Sequence, residues 1–198
     1  MKMKPIVKMN SILILIILLK PVSFAGELKG KIKAGGNGLN NVIVYLEPKE
    51  ETVFAPPKEA AVMDQINLTF VPHVLPVLVG TKVIFPNSDK IRHSVFSISK
   101  IKKFDFGTFP PGSEKSIICE KIGVIPVLCY IHHDMSAYIV VLKTRYFSLT
   151  NDEGDYIISG IPSGNYKLSF WNEDYEIKSE EIFIPGDGTV TKNFTTDE

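Results

Sequence analysis

The chain has 198 residues, and 22 lysines and arginines balance 22 acidic residues. That balance excludes a strongly basic nucleic-acid binder, which carries a clustered basic patch. The apolar share of 44% is ample for a packed core in one or two small domains.

The first segment, MKMKPIVKMN, is followed by the apolar run Ile12–Leu19 and then KPVSFAGE. Lysines, a short apolar stretch and the small residues Ser23 and Ala25 read as a signal peptide cleaved after Ala25. The run is too short to span a bilayer comfortably, which takes about 20 residues. The competing reading is an uncleaved membrane anchor. Cleavage predicts an exported, periplasmic protein with no stable membrane insertion. It removes four lysines and no acid, leaving 18 basic and 22 acidic residues and a net charge near −4.

Beyond residue 25 the pattern is β throughout. Lys29–Pro48 reads as strand, Gly-rich turn, strand. The runs Lys82–Pro86, His93–Ser99, Lys115–Cys119, Val124–Cys129 and Ala137–Leu142 are short and rich in Val, Ile and Phe. Turn material such as PNSD, PPGSE and EKIG separates them. Phe147–Trp171 reads as three more strands joined by Asp-Glu-Gly and Pro-Ser-Gly turns. No segment keeps a helical apolar period over three turns. The fold class is all-β, a sandwich or barrel.

Three of the six His and Cys residues fall in VLCYIHHDMSAYIVV: Cys129, His132 and His133. Cys119 and Cys129 flank the turn EKIG, and a hairpin centred there puts them about 16 Å apart. A disulfide needs Cα atoms within about 7 Å, so no bond is expected. Cys129 ends a strand, His132 follows at +3 and Met135 at +6, while His93 opens another strand. Two imidazoles, a thiolate and a weak axial thioether are the ligand set of a type 1 copper site. Zinc has no use for a thioether. A Cys–His hydrolase needs an orienting Asn or Asp and an oxyanion hole, and gives Met135 no role. The bland alternative is a buried filler cysteine beside surface histidines.

Residues Met63–Leu142 resemble the cupredoxins, most closely the plastocyanin- and amicyanin-like proteins of the methylamine-utilisation type. The likeness runs through FVPHVLPVLVGTKVIFPNSD, HSVFS and FDFGTFPPGSEKSIICEKIGVIPVLCYIHHDMSAYIVV, with the Gly80–Thr81 turn, Asn87 and Gly123. It implies a Greek-key cupredoxin sandwich with one copper ion held by His93, Cys129, His132 and Met135. The Cys-x2-His spacing selects His132 over His133. The family often carries Asn after the first ligand histidine to tie the two ligand loops together, and Ser94 stands there. His73 lies on a strand that provides no ligand in the family and reads as an ordinary surface or half-buried residue. The resemblance implies one-electron carriage between redox partner proteins, with no bond chemistry and therefore no enzyme activity. The ring edge of His132 would be the exit. The alternative is a periplasmic copper-binding carrier or interaction module without a shuttle role.

Both flanks resemble a carboxypeptidase-regulatory-like, prealbumin-type β-sandwich. Lys29–Pro48 matches its opening hairpin, and Phe147–Trp171 its T-x-x-x-G-x-Y and I-P-x-G-x-Y-x-L core. The expected organisation is a signal peptide (1–25), a cupredoxin domain (51–143) and a discontinuous sandwich of 26–50 with 144–198. The alternative is an extended cupredoxin of 26–143 and a separate tail domain of 144–198. NDEGD (Asn151–Asp155) lacks the spaced ligands of a calcium loop and reads as a turn.

Overall fold

The computed structural model describes residues 25–196. Except for Ala25, the expected signal segment lies outside the described residues. Among the described residues every element is a strand, and no helix is long and apolar enough to cross a membrane.

The middle of the chain forms one sandwich. Its larger sheet runs Lys103–Phe109, His93–Ile98, Gly123–Leu128, Ser136–Leu142, Val74–Leu78, the last pair being parallel. Facing it is a sheet of Glu114–Ile118, Lys82–Pro86 and Ala61–Val62, with the hairpin Asp64–Ile66/Thr69–Val71 at its side. Alternation places Val83 and Phe85 on one side of their strand, and Ile125 and Val127 on one side of theirs. These four, with Val95, Ile117, Ile139 and Cys119, fill the space between the sheets.

One expectation changes here. Glu114–Ile118 pairs with Lys82–Pro86, whereas Gly123–Leu128 pairs with Ser136–Leu142 and touches His93–Ile98. The turn at Glu120–Gly123 therefore carries the chain from one sheet to the other and closes no hairpin. Cys119 and Cys129 are both free and buried, so the absence of a disulfide stands on a different geometry from the one expected.

The ends of the chain form a second, smaller sandwich. Ala25–Ala34 lies between Asp155–Pro162, antiparallel, and Thr189–Thr191, parallel, and its C-terminal part also pairs in parallel with Phe194–Thr196. A Cβ at Gly30 would collide with the Lys192 carbonyl, so glycine permits this parallel approach. The opposing sheet runs Phe147–Leu149, Ile43–Pro48, Gly164–Trp171, Glu180–Ile184. Leu28, Ile32, Val42, Val44, Leu46, Tyr156, Ile158, Tyr166 and Leu168 share the core between them. The opening hairpin expected from Lys29–Pro48 is not formed. Ala25–Ala34 and Ile43–Pro48 sit in opposite sheets, because the chain turns back only over Asn37–Gly38 and then leaves through Asn41 at a left-handed φ of 55°.

A third apolar cluster joins the two sandwiches. Ile43 packs with Val74, Val140 and Leu142, and Tyr45, Tyr138, Leu149 and Trp171 cover them. Burial of each of these aliphatic side chains contributes roughly 1.5–3 kcal/mol.

Candidate metal centre

The sulfur and the two histidines come together at one end of the larger sheet. Cys129 directly follows the strand Gly123–Leu128, and His93 is the first residue of the neighbouring strand. Phe96 pairs with Leu128, and this register places both strand ends at the same level. Val127 and Ile125 anchor one strand in the core and Val95 the other. The loop from Cys129 to Met135 closes with the N–H of Met135 donating to the carbonyl of His132 at 3.0 Å.

The donor atoms of His93, Cys129 and His132 all lie within 4.8 Å of one another. His93 Nδ1 is 3.1 Å from His132 Nδ1, and Cys129 Sγ is 3.8 Å from His132 Nδ1. Three N and S donors around one transition ion at about 2.0–2.3 Å stand about 3.5–4 Å apart, so the spacing and the donor chemistry fit a single soft ion. His93 is fully buried and Cys129 nearly so, while His132 is half-buried and His133 exposed. His133 is outside the trio. Met135 is buried in the same core cluster as Cys129.

The surroundings orient these donors. His93 Nε2 is 3.0 Å from Asp89 Oδ2. A carboxylate there keeps the ring proton on Nε2 and leaves the Nδ1 lone pair facing the centre. Asp89 also accepts from the backbone N–H groups of Leu68 (2.9 Å) and Lys90 (2.7 Å). Those two bonds, followed by the one to His93, hold the Asp89 carboxyl below the usual carboxylate range. Leu68 has φ 64°, a strained conformation for a branched side chain. Its bond to Asp89 offsets part of that strain.

Ser94 makes the tie that its identity had put in question, between its own strand and the loop after Cys129. Its Oγ accepts the backbone N–H of Tyr130 at 2.7 Å and can donate its own proton to Cys129 Sγ at 3.6 Å. The Tyr130 ring stacks on Phe96 at 3.6 Å. Tyr130 and Ile131 are exposed, so His132 is flanked by apolar surface.

Of the four residues expected as ligands, the structure brings His93, Cys129 and His132 together and buries Met135 in the core beside Cys129, while Asp89 went unread in the sequence. The signal was present, since Asp89 stands four residues before His93 in the PNSDKIRH segment. His73, expected as an ordinary surface or half-buried residue, is half-buried. The structure gives His73 two polar partners, Ser136 and Glu173.

No protein-family model matches the chain, and no curated protein matches it significantly. Solved structures that resemble it include a purple cupredoxin from Nitrosopumilus maritimus, 23% identical, with a TM-score of 0.39, covering 41% of this chain and 99% of that one. A copper-containing nitrite reductase from Thermus scotoductus SA-01 is 25% identical, with a TM-score of 0.42, covering 50% of this chain and 26% of the reductase. A reduced amicyanin variant is 20% identical, with a TM-score of 0.40, covering 50% of this chain and 99% of the amicyanin.

Proposed function

We propose that this chain is a type 1 copper protein that carries single electrons between partner proteins outside the cytoplasm. The observation that carries the reading is the convergence of one cysteine sulfur and two imidazole nitrogens within 4.8 Å. Cys129, His93 and His132 would hold the ion as strong donors, and Met135 would offer a weak thioether. Copper held by such a set supplies a Cu(I)/Cu(II) couple that exchanges one electron with little rearrangement.

The protein's own groups have distinct tasks. Asp89 holds the His93 ring with Nδ1 inward. The Ser94 hydroxyl points at the sulfur and moderates its electron density. His132 offers a half-exposed ring beside apolar surface, and this is the path for electrons.

Copper titration of the metal-free protein tests the reading. One Cu(II) per chain with an intense thiolate-to-copper visible band and reversible one-electron cycling is the expected result. Cys129→Ala abolishes the band and keeps the fold. Copper uptake without the band or without reversible cycling favours a copper carrier or interaction module instead.

A further inference from the structure

His73 is where the smaller sandwich reaches the loop of the metal centre. Its Nδ1 is 3.1 Å from the carbonyl oxygen of Ser136, and its Nε2 is 2.6 Å from Glu173 Oε1. Both partners are acceptors, so the ring satisfies both only when each nitrogen carries a proton. Ser136 follows Met135, and Met135 is bonded through its N–H to His132. Glu173 belongs to the segment just after the strand Gly164–Trp171 of the smaller sandwich. A continuous path therefore runs from that sandwich through Glu173, His73 and Ser136 to the residues that carry the sulfur and nitrogen donors.

Two further features show why an anchor is needed there. A cavity of about 360 Å³ lies against Phe70, His73, Asp134, Met135 and Ser136, so this side of the loop is not close-packed. The ring of His73 stands edge-on to Tyr138 at 5.7 Å, and Tyr138 lies against Trp171 at 5.4 Å. The apolar cluster beneath, with Val74 next to His73 and Trp171 near Glu173, packs residues of both sandwiches together.

We propose that His73 is a positioning residue for the metal centre, through which Glu173 of the smaller sandwich fixes the placement of Met135. This rests on the copper reading above. The flank then serves as a rigid brace whose docking sets the redox properties of the site.

The test uses the full-length protein with Glu173→Ala, Glu173→Gln and, as a charge control, Asp174→Asn. In the metal-free protein, amide hydrogen exchange over residues 130–137 is expected to quicken roughly tenfold in Glu173→Ala. Glu173→Gln, which keeps an acceptor oxygen, is expected to stay close to the parent. With copper bound, Glu173→Ala is expected to change the visible band pattern and the reduction potential at unchanged stoichiometry, while Asp174→Asn leaves both alone. If Glu173→Ala lowers only the melting temperature and leaves loop exchange, spectrum and potential as in the parent, His73 is merely a clasp and the proposal fails. A change matched by Asp174→Asn also overturns it, since charge alone would explain the effect. Should the parent protein bind no copper, the proposed function falls, and loop exchange alone still decides whether the brace exists.

Discussion

Ser94 and Tyr130 are separated by 36 positions in sequence and joined by a 2.7 Å hydrogen bond from the backbone N–H of Tyr130 to the serine hydroxyl. The same hydroxyl lies 3.6 Å from Cys129 Sγ. One small side chain thus ties two strands and contacts the sulfur. Ser94→Ala leaves the Tyr130 N–H without its partner, at a cost of about 1–2 kcal/mol. Denaturant unfolding of the metal-free protein measures that loss. A shifted visible band in the copper form would show that the hydroxyl also acts on the thiolate.

Asp89 is expected to matter for affinity more than for folding. Removing the carboxylate that orients a metal-binding histidine typically lowers affinity by about 10–100-fold. Asp89→Ala should fall in that range in a competition titration against a copper chelator. Asp89→Asn, which can still accept from His93, should lose less. Equal affinities in the three proteins would remove Asp89 from the site.

The two adjacent imidazoles differ sharply in placement. His132 Nδ1 is within 3.8 Å of the sulfur, whereas His133 is exposed and outside the trio. Copper retention should collapse in His132→Ala and persist in His133→Ala. Comparable losses, or a larger one at His133, would contradict the assignment.

Cys119 makes the protein sensitive to alkali. It is fully buried, and burial, which outweighs the nearby Lys102, pushes its thiol from 9.0 up to about 11. A raised folded-state value contributes stability that is complete below the unfolded thiol's range and lost as pH rises between about 9 and 11. The loss is on the order of 2 kcal/mol. Burial also raises the phenols of Tyr156 and Tyr166, so they add to the slope. Unfolding free energies at pH 8, 10 and 11 should decline less steeply in Cys119→Ala than in the parent. An unchanged slope would mean the thiol ionises normally.

The organisation of the chain remains a proposal: 51–143 is inserted into a sandwich built from 26–50 and 144–198. Fragment 144–198 lacks the strands Ala25–Ala34 and Ile43–Pro48 that pair with it and should be unfolded by circular dichroism. Fragment 51–143 contains His93, Cys129, His132 and Met135 but bares Val74, Val140 and Leu142. It should fold and bind copper while self-associating through that face. A folded 144–198 fragment would overturn the insertion.

Local features were legible in the sequence, and partners were not. Alternation and turn residues located His93–Ile98, Gly123–Leu128 and Ser136–Leu142 to within a residue. Nothing local says whether the turn at Glu120–Gly123 closes a hairpin or crosses between sheets, because both use the same residues. Thr189–Thr191 and Phe194–Thr196 went unread because they are short and rich in threonine. Within the site, the seven-residue cluster drew attention through its chemistry. The Glu173 contact of His73 lies 100 positions away, beyond any spacing rule.

The parallel pairing of Ala25–Ala34 with Thr189–Thr191 and Phe194–Thr196 has a consequence for the order of assembly. The strand Ala25–Ala34 finds these two neighbours only once residues 189–196 have left the ribosome. Until then the edge opposite Asp155–Pro162 waits unpaired, and such an edge invites association with other chains. The middle sandwich has all its strands much earlier, so His93, Cys129 and His132 can come together before the smaller sandwich closes. Late closure also makes the C-terminal residues a poor place for truncation. Loss of residues 189–196 would leave Gly30 facing open space instead of Lys192, and would undo at the end of the chain what residues 25–34 began.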